Sequence, residues 1–472
     1  MKKAILPFVV TIFMSGCTVG PNYHRPNIET PPSYRGAAPS KEGSQTAATA
    51  SPTPEQSFGD QKWWDVFQDP QLQELIRTAV TQNYDVQIAA ARILEAQAQL
   101  GITRADQLPS VGAGASAINQ RSPREKPLPE LETNASSVGA SMSWELDFWG
   151  KYRRATEAAR ANLLAAQWAR RAVVSSLVSN VAAAYFELRA YDLQLEISRR
   201  TLASRQDSLE LTQKLATGGA TNMLDVRQAE QLVAVASENV PNLERRIQQQ
   251  ENLISTLLGG NPGPVARGMK LTEQPHLPEV PAGIPSSLLE RRPDILAAEA
   301  QLKAANAQIG VARAAYFPQI TLTANSGFQS AALTSLFTGP AGLWSFGGSL
   351  TQPIFAGGRI KSGVRLAEAR KQELVFTYQQ TIQQAFRGVS DALVGYQKSR
   401  EFRAHQEELV VAAQDAAHLS DVRYRGGATS YLEVLTNETN SFQAELGLAQ
   451  ARLDELVQLV GIYKNLGGGW EQ

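Results

Sequence analysis

The chain has 472 residues, with 45 basic and 45 acidic side chains and an aromatic content of 7%. A formal charge of zero excludes the chain-wide basic field of a nucleic-acid binder and any strong field for steering anionic substrates. The length admits roughly two to four ordinary domains, but abundant Ala, Gln and Leu with few aromatics predict long helices over compact cores. Cys17 is the only cysteine, so no intrachain disulfide framework is available.

In chain order, Met1-Lys2-Lys3 and the apolar run Ala4 to Met14 read as a secretory signal over 1–16, too short to span a bilayer. It leads into Phe13-Met-Ser-Gly-Cys17, which resembles the lipobox of bacterial lipoproteins. That resemblance implies cleavage before Cys17 and a covalent lipid on it, and Thr18 after the Cys implies delivery to the outer membrane. Residues 17–68, rich in Pro, Ser, Thr and Ala, are expected to form a lipidated tether with little structure of its own. A first repeat over 69–260 opens with Asp69-Pro70 and an apolar stripe of Leu72, Leu75, Ile76, Ala79 and Val80, predicting one helix to about Gln107.

The period then changes. From Ser137 to Phe148 apolar and polar residues alternate strictly, which predicts a strand with one oily and one wet face. Gln319–Asn325 and Trp344–Gln352 alternate too, and Val111–Ala117 is a weaker fourth. Two isolated hairpins, 110–148 and 319–356, follow, with Asn119–Asn134 and Ser330–Gly342 as their loops. Each strand is long enough to cross a membrane, yet four strands cannot close a barrel, because the smallest have about eight. Several chains must share one barrel, since an open edge in lipid leaves backbone groups unpaired.

Behind each hairpin lies a long helical stretch. Residues 151–217 contain no Gly or Pro and would span on the order of 100 Å as one helix, with Leu188, Leu195, Leu202 and Leu209 forming a heptad seam. The matching stretch 361–425 carries Gly363, Gly388 and Gly395, which make its continuity less certain. Each long helix is followed by a Gly-Gly break, Leu215-Ala-Thr-Gly218-Gly219-Ala-Thr and Arg423-Tyr-Arg-Gly426-Gly427-Ala-Thr, 208 residues apart in register. These read as tips of helical hairpins. Helices over 221–258 and 429–463 return from them, the first with an expected kink at Pro241. A Pro-rich linker spans 261–285, the second repeat 286–465 and a short tail 466–472. The unit is helix, strand hairpin, long helix, tip and helix, and it occurs twice.

Gly16-Cys-Thr-Val-Gly-Pro-Asn-Tyr-His-Arg-Pro26, Leu289-Glu-Arg-Arg-Pro-Asp-Ile295, Ala315-Tyr-Phe-Pro318 and Gln352-Pro-Ile-Phe-Ala-Gly-Gly-Arg359 together resemble the lipoprotein branch of the outer membrane factors, the TolC-like exit ducts. The resemblance covers nearly the whole mature chain. It implies a mixed fold, a membrane β-barrel continued by a long α-helical barrel, in which a homotrimer completes twelve strands with four from each chain. It also implies an outer membrane location reaching into the periplasm, no chemistry of its own, a periplasmic adaptor and a resistance-nodulation-division inner membrane pump. Small toxic compounds such as drugs are the expected cargo. An exit channel for secreted proteins and a pore-free lipid-anchored coiled-coil scaffold are the alternatives, and the alternating strands speak against the scaffold.

The resemblance places adaptor contact at the tips, Gly218, Gly219, Gly426 and Gly427, and a constriction just beyond the second tip, at Leu432, Glu433 and Thr436. Thr436 stands where an Asp is usual. Asp225 and Tyr424 are the implied partners of a closing latch, and Thr429 replaces an Arg that some members use there. From the residues alone, Ser430-Tyr-Leu-Glu433 is also a capping box, so Glu433 has a helix-start role in any case. The four histidines have no metal-ligand spacing, and no phosphate loop or catalytic triad order is present. No cofactor is expected.

Overall fold

The computed structural model describes residues 18–36, 57–121, 123, 132–275, 280–281, 283 and 285–470; the signal stretch and Cys17 lie outside them. In chain order the longer elements are α1 (Pro70–Gln82), α2 (Tyr84–Ala105), β1 (Ser110–Arg121), β2 (Glu132–Glu145), α3 (Lys151–Thr217), α4 (Met223–Leu257), α5 (Pro293–Ala314), β3 (Gln319–Ser330), β4 (Gly342–Thr351), α6 (Arg359–Arg425) and α7 (Tyr431–Asn465). The two repeats match in length: α3 and α6 each have 67 residues, α4 and α7 each 35, and α2 and α5 each 22. The chain divides into two compact units, one of Met1–Asn27, Arg92–Gln167 and Ala297–Gln379, the other of Ile28–Ala91, Trp168–Leu296 and Gln380–Gln472.

The first unit contains all four strands. The hairpins expected to stand apart are joined by antiparallel pairing of β2 with β3, giving one sheet in the order β1-β2-β3-β4. Register explains why the alternation matters. Met142 lies opposite Val111 and Ala324, Val138 opposite Ala115 and Phe328, and Leu350 opposite Ile320, so oily residues share one face. Ser141 and Asn325 pair on the other face, as do Asn325 and Ser345. Many of the apolar side chains are open to the surroundings, with Trp344 at 80% exposure and Phe346 at 69%. Among the described residues β1 and β4 each pair on one side only, leaving both sheet edges open.

Alternation predicted a strand to Phe148, but β2 ends at Glu145. Gly150 adopts a left-handed φ of +76°, and the Asp147 carboxylate accepts the Tyr152 and Arg153 amides at 3.2 and 2.8 Å, capping α3. Trp149 stacks on Phe317 with ring centroids 4.7 Å apart and donates Nε1–H to the Pro318 carbonyl.

In the second unit, the helix expected from Asp69 to Gln107 is broken at Asn83, which is extended. Its Oδ1 accepts the Asp85 and Val86 amides and its Nδ2 donates to the Leu257 carbonyl, so Asn83 ends α1, starts α2 and grips the end of α4. Arg292 breaks the second repeat similarly, because a residue before proline favours extended backbone. Asp69 caps α1 through Oδ1, while its Oδ2 accepts Tyr185 Oη–H, the Met269 amide and Gln274 Nε2–H within 3.2 Å. Phe58, Phe67 and Phe186 gather with Tyr463 in edge-on aromatic contacts.

α6 is continuous despite its glycines, and α4 runs uninterrupted through Pro241. A Cβ at Gly388 or Gly395 would lie 2.6 Å from Asn465 Oδ1 or 2.5 Å from Gln458 Oε1, so these glycines admit α7 side chains and do not end the helix.

The β2–β3 seam turns on one glycine pair. Gly139 and Gly327 face each other, and a Cβ at Gly327 would lie 2.3 Å from the Val138 carbonyl oxygen. Gly327→Val is therefore expected to lower the unfolding temperature of the purified protein, at a cost of roughly 1–3 kcal/mol. Gly347→Ala, whose Cβ would meet only Thr323 Oγ1 at 3.7 Å, should be tolerated. Equal stability of the two variants would refute close backbone approach at this seam.

Candidate functional site

The two tips close with the same hydrogen bonds. Gly218 N donates to Lys214 O at 3.0 Å and Ala220 N to Leu215 O at 2.8 Å; Gly426 N donates to Val422 O at 3.0 Å and Ala428 N to Arg423 O at 2.9 Å. Gly219 and Gly427 have φ of +75° and +72°, and an added Cβ would have nothing within 4 Å, so glycine is required there by conformation and not by crowding.

Beyond the tips the copies diverge. Asn222 caps α4 by accepting the Leu224 and Asp225 amides at 2.8 and 3.2 Å. Ser430 makes no side-chain cap, so the expected Ser430–Glu433 capping box is not formed. Both acids instead turn back to a threonine four residues earlier: Thr221 Oγ1 donates to the Asp225 carboxylate and Thr429 Oγ1 to that of Glu433. Thr429 thus holds Glu433. Glu433 also pairs with Arg423 at 3.3 Å across its own turn, whereas the first copy has Leu215 in place of the arginine.

Leu432 is 56% exposed, and Thr436, also exposed, donates Oγ1–H to the Leu432 carbonyl, so these two lie on one open face of α7. Beneath them Tyr431 and Val434 are buried with Ala229 and Leu232 of α4, and Leu209, Tyr424 and Leu435 pack against that cluster. Tyr424 meets Tyr431 edge-on at 5.2 Å, and its hydroxyl is buried without a hydrogen-bond partner. The tie from Tyr424 to Asp225 implied by the resemblance is not made within the chain. Burial pushes the Tyr431 hydroxyl far up.

Within the first unit the segment after Cys17 is fastened down, contrary to the expectation of a tether with little structure. Val19 N donates to Trp149 O at 3.0 Å, and Gly20 lies against Gly310 so closely that a Cβ would meet Gly310 Cα at 2.5 Å. Arg154 donates to Asn22 Oδ1 at 2.9 Å. Glu299, almost fully buried, pairs with Arg25 at 2.5 Å and Lys303 at 3.1 Å and accepts Tyr23 Oη–H at 3.2 Å. Burial would raise its carboxyl, but the Arg25 and Lys303 bonds outweigh burial and hold it below the usual carboxylate range.

Sequence reasoning missed Arg423, the two threonines and Glu299. The threonines had a readable signal, the shared spacing Thr-x-x-x-acid after each Gly-Gly pair. For Glu299 only the i,i+4 spacing to Lys303 was readable, because Arg25 and Tyr23 lie 274 and 276 residues away. Among the described residues no group of three or more His, Cys, Asp or Glu side chains could hold a metal, and no helix is long and apolar enough to cross a membrane.

The family model described as outer membrane efflux protein matches residues 75–260 and 284–468. The antibiotic efflux pump outer membrane protein ArpC of Pseudomonas putida is 37% identical, over 100% of this chain and 96% of that protein. The cation efflux system protein CusC of Escherichia coli K12 is 34% identical, over 98% of this chain and 99% of its own. Among solved structures, the open-state MtrE outer membrane channel of Neisseria gonorrhoeae superposes with a TM-score of 0.83 at 31% identity, covering 96% of this chain and 99% of that one.

Because ionised Glu299 holds the 18–27 segment, Glu299→Gln should accelerate amide hydrogen exchange there while leaving α3 protected. Its folded carboxyl lies low, so in the wild type the contribution is complete above the ordinary carboxylate value and is lost as the pH falls below roughly 4. Exchange in 18–27 that is unchanged in the variant would remove Glu299 from that role.

Proposed function

The chain belongs to the outer membrane efflux protein family, and on that premise we propose that it works as a homotrimeric exit duct for small toxic compounds such as drugs. It is an outer membrane efflux channel and not an enzyme. The observation that carries the trimer is the sheet. Its four strands have a continuous oily face and two open edges, which lipid does not tolerate. Three copies joined edge to edge give a twelve-stranded barrel, within the range in which membrane barrels close. The long helices then carry the passage into the periplasm, towards an adaptor and an inner membrane pump of the resistance-nodulation-division type that supplies the energy. ArpC and CusC are named for different cargo at similar identity, which supports a duct whose pump does the selecting.

Cys17 is the proposed lipid site. Thr18, the residue after it, packs on Gly150, which opens α3 after β2, and two or more acyl chains make a stable anchor. The tips around Gly218, Gly219, Gly426 and Gly427 are the proposed adaptor contacts. Leu432, Glu433 and Thr436 form the constriction, with Asp225 and Tyr424 at its edge. Because Arg423 compensates Glu433, the mouth is less anionic than its acids alone indicate.

Purified protein should form a detergent-stable trimer and conduct ions in planar bilayers, and failure of both would sink the duct. In the same recordings Arg423→Gln should move the reversal potential towards cation selectivity and Glu433→Gln away from it. No shift in either variant would take Glu433 out of the constriction. Cys17→Ser should abolish lipid attachment, read as the mass of the intact chain; an unmodified wild-type Cys17 would remove the anchor.

A further inference from the structure

The connection from β3 to β4, residues 331–341, differs in kind from its counterpart in the first repeat. No charged residue occurs between Arg313 and Arg359, so the whole second hairpin is uncharged. The first hairpin instead rises to the exposed Arg121–Glu132 pair, and residues 122–131 include Arg124, Glu125, Lys126 and Glu130. Two large apolar side chains of the second connection are open, Leu333 at 71% exposure and Phe337 at 73%, while Leu336 is buried.

The sheet fixes where Phe337 lies. Phe328, opposite Val138, belongs to the oily face, and Phe337 meets it edge-on with ring centroids 5.7 Å apart. The connection therefore folds onto the oily face and prolongs it past the end of β3. Trp344, opposite Ser326 on the same face, adds an exposed ring nearby, and membrane barrels carry aromatic girdles at this boundary. Polar groups of the connection are paired among themselves: Leu336 N donates to Leu333 O, Thr338 N to Ser335 O and Ala341 N to Thr338 O, and the Ser330 and Ser335 hydroxyls bond at 2.6 Å. Such pairing lowers the cost of bringing backbone towards an apolar medium. The long helix α6 leaves from the other end of β4, so this connection stands at the outward end of the sheet.

We propose that the β3–β4 connection docks on the outer leaflet of the membrane, lying at the headgroup boundary with Phe337 and Leu333 among the acyl chains. It leaves the outer mouth to the charged first hairpin. The inference rests on the oily face being the lipid face of an outer membrane barrel. The test is spin labelling of the full chain in phosphatidylethanolamine–phosphatidylglycerol vesicles, using Phe337→Cys, Leu333→Cys, Phe346→Cys and Arg121→Cys. The wild-type chain, whose only cysteine is Cys17, gives the background. Collisions of each label with oxygen, which concentrates among acyl chains, are compared with those of a neutral water-soluble nickel chelate. Oxygen should exceed the chelate several-fold at Phe337 and Leu333, as at Phe346 on the oily face, with the order reversed at Arg121. A Phe337 label that reads like Arg121 while Phe346 reads as lipid overturns the docking and leaves the barrel standing. Shielding of the Phe337 label from both reagents, the mark of a neighbouring copy lying over it, overturns it as well. Chelate access at Phe346 would refute the lipid face itself and the docking with it.

Discussion

Backbone hydrogen bonding in lipid governs the design of this chain. Every N–H and C=O placed in a bilayer needs a partner, and a sheet of four strands supplies partners everywhere except along β1 and β4. The trimer proposed above answers that single shortfall, and each of the two repeats contributes one hairpin to the sheet.

The two faces of the sheet answer a second demand. Met142 and Phe346 lie opposite Ala324, with Phe328 and Leu350 on the same face, and Ser141, Thr323, Asn325 and Ser345 lie on the other. A one-residue slip in any strand would exchange the faces, so pairing is fixed by solvent preference as well as by hydrogen bonds. The Gly139–Gly327 pair sits in the seam between the repeats, where the backbones approach too closely for a side chain.

Periodicity made the long elements legible because a residue's face on a helix or strand is decided by its own neighbours in sequence. The strand alternation and the Gly-free, Pro-free run of α3 are local facts, and the structure follows them closely. Continuity of α6 was not legible, since Gly388 and Gly395 look like breaks until Asn465 and Gln458 are seen to occupy the space they leave. The β2–β3 pairing was hidden for a related reason: nothing near Ser137 or Gln319 states which hairpin lies beside which. At the tips the Gly-Gly turns were readable in full, but the capping box expected of Glu433 is not formed, its carboxylate being held by Thr429 and Arg423. A capping box needs its glutamate free to reach backward, and here the carboxylate is already engaged.

The Asp69 node has a consequence for the order in which the chain is completed. Its partners, Tyr185, Met269 and Gln274, all precede residue 275, so the carboxylate is satisfied once the first repeat and part of the linker have been delivered. The aromatic contact of Phe58 with Tyr463, and the bond from Tyr463 Oη–H to the Gln61 carbonyl at 2.8 Å, require nearly the last residues of the chain. A chain emerging from its N-terminus therefore has every partner of the polar anchor once Gln274 is delivered, while the apolar seat beside it still lacks Tyr463. That seat closes only on a full-length molecule, so a truncated product keeps its Asp69 node and presents bare aromatic rings to whatever inspects it.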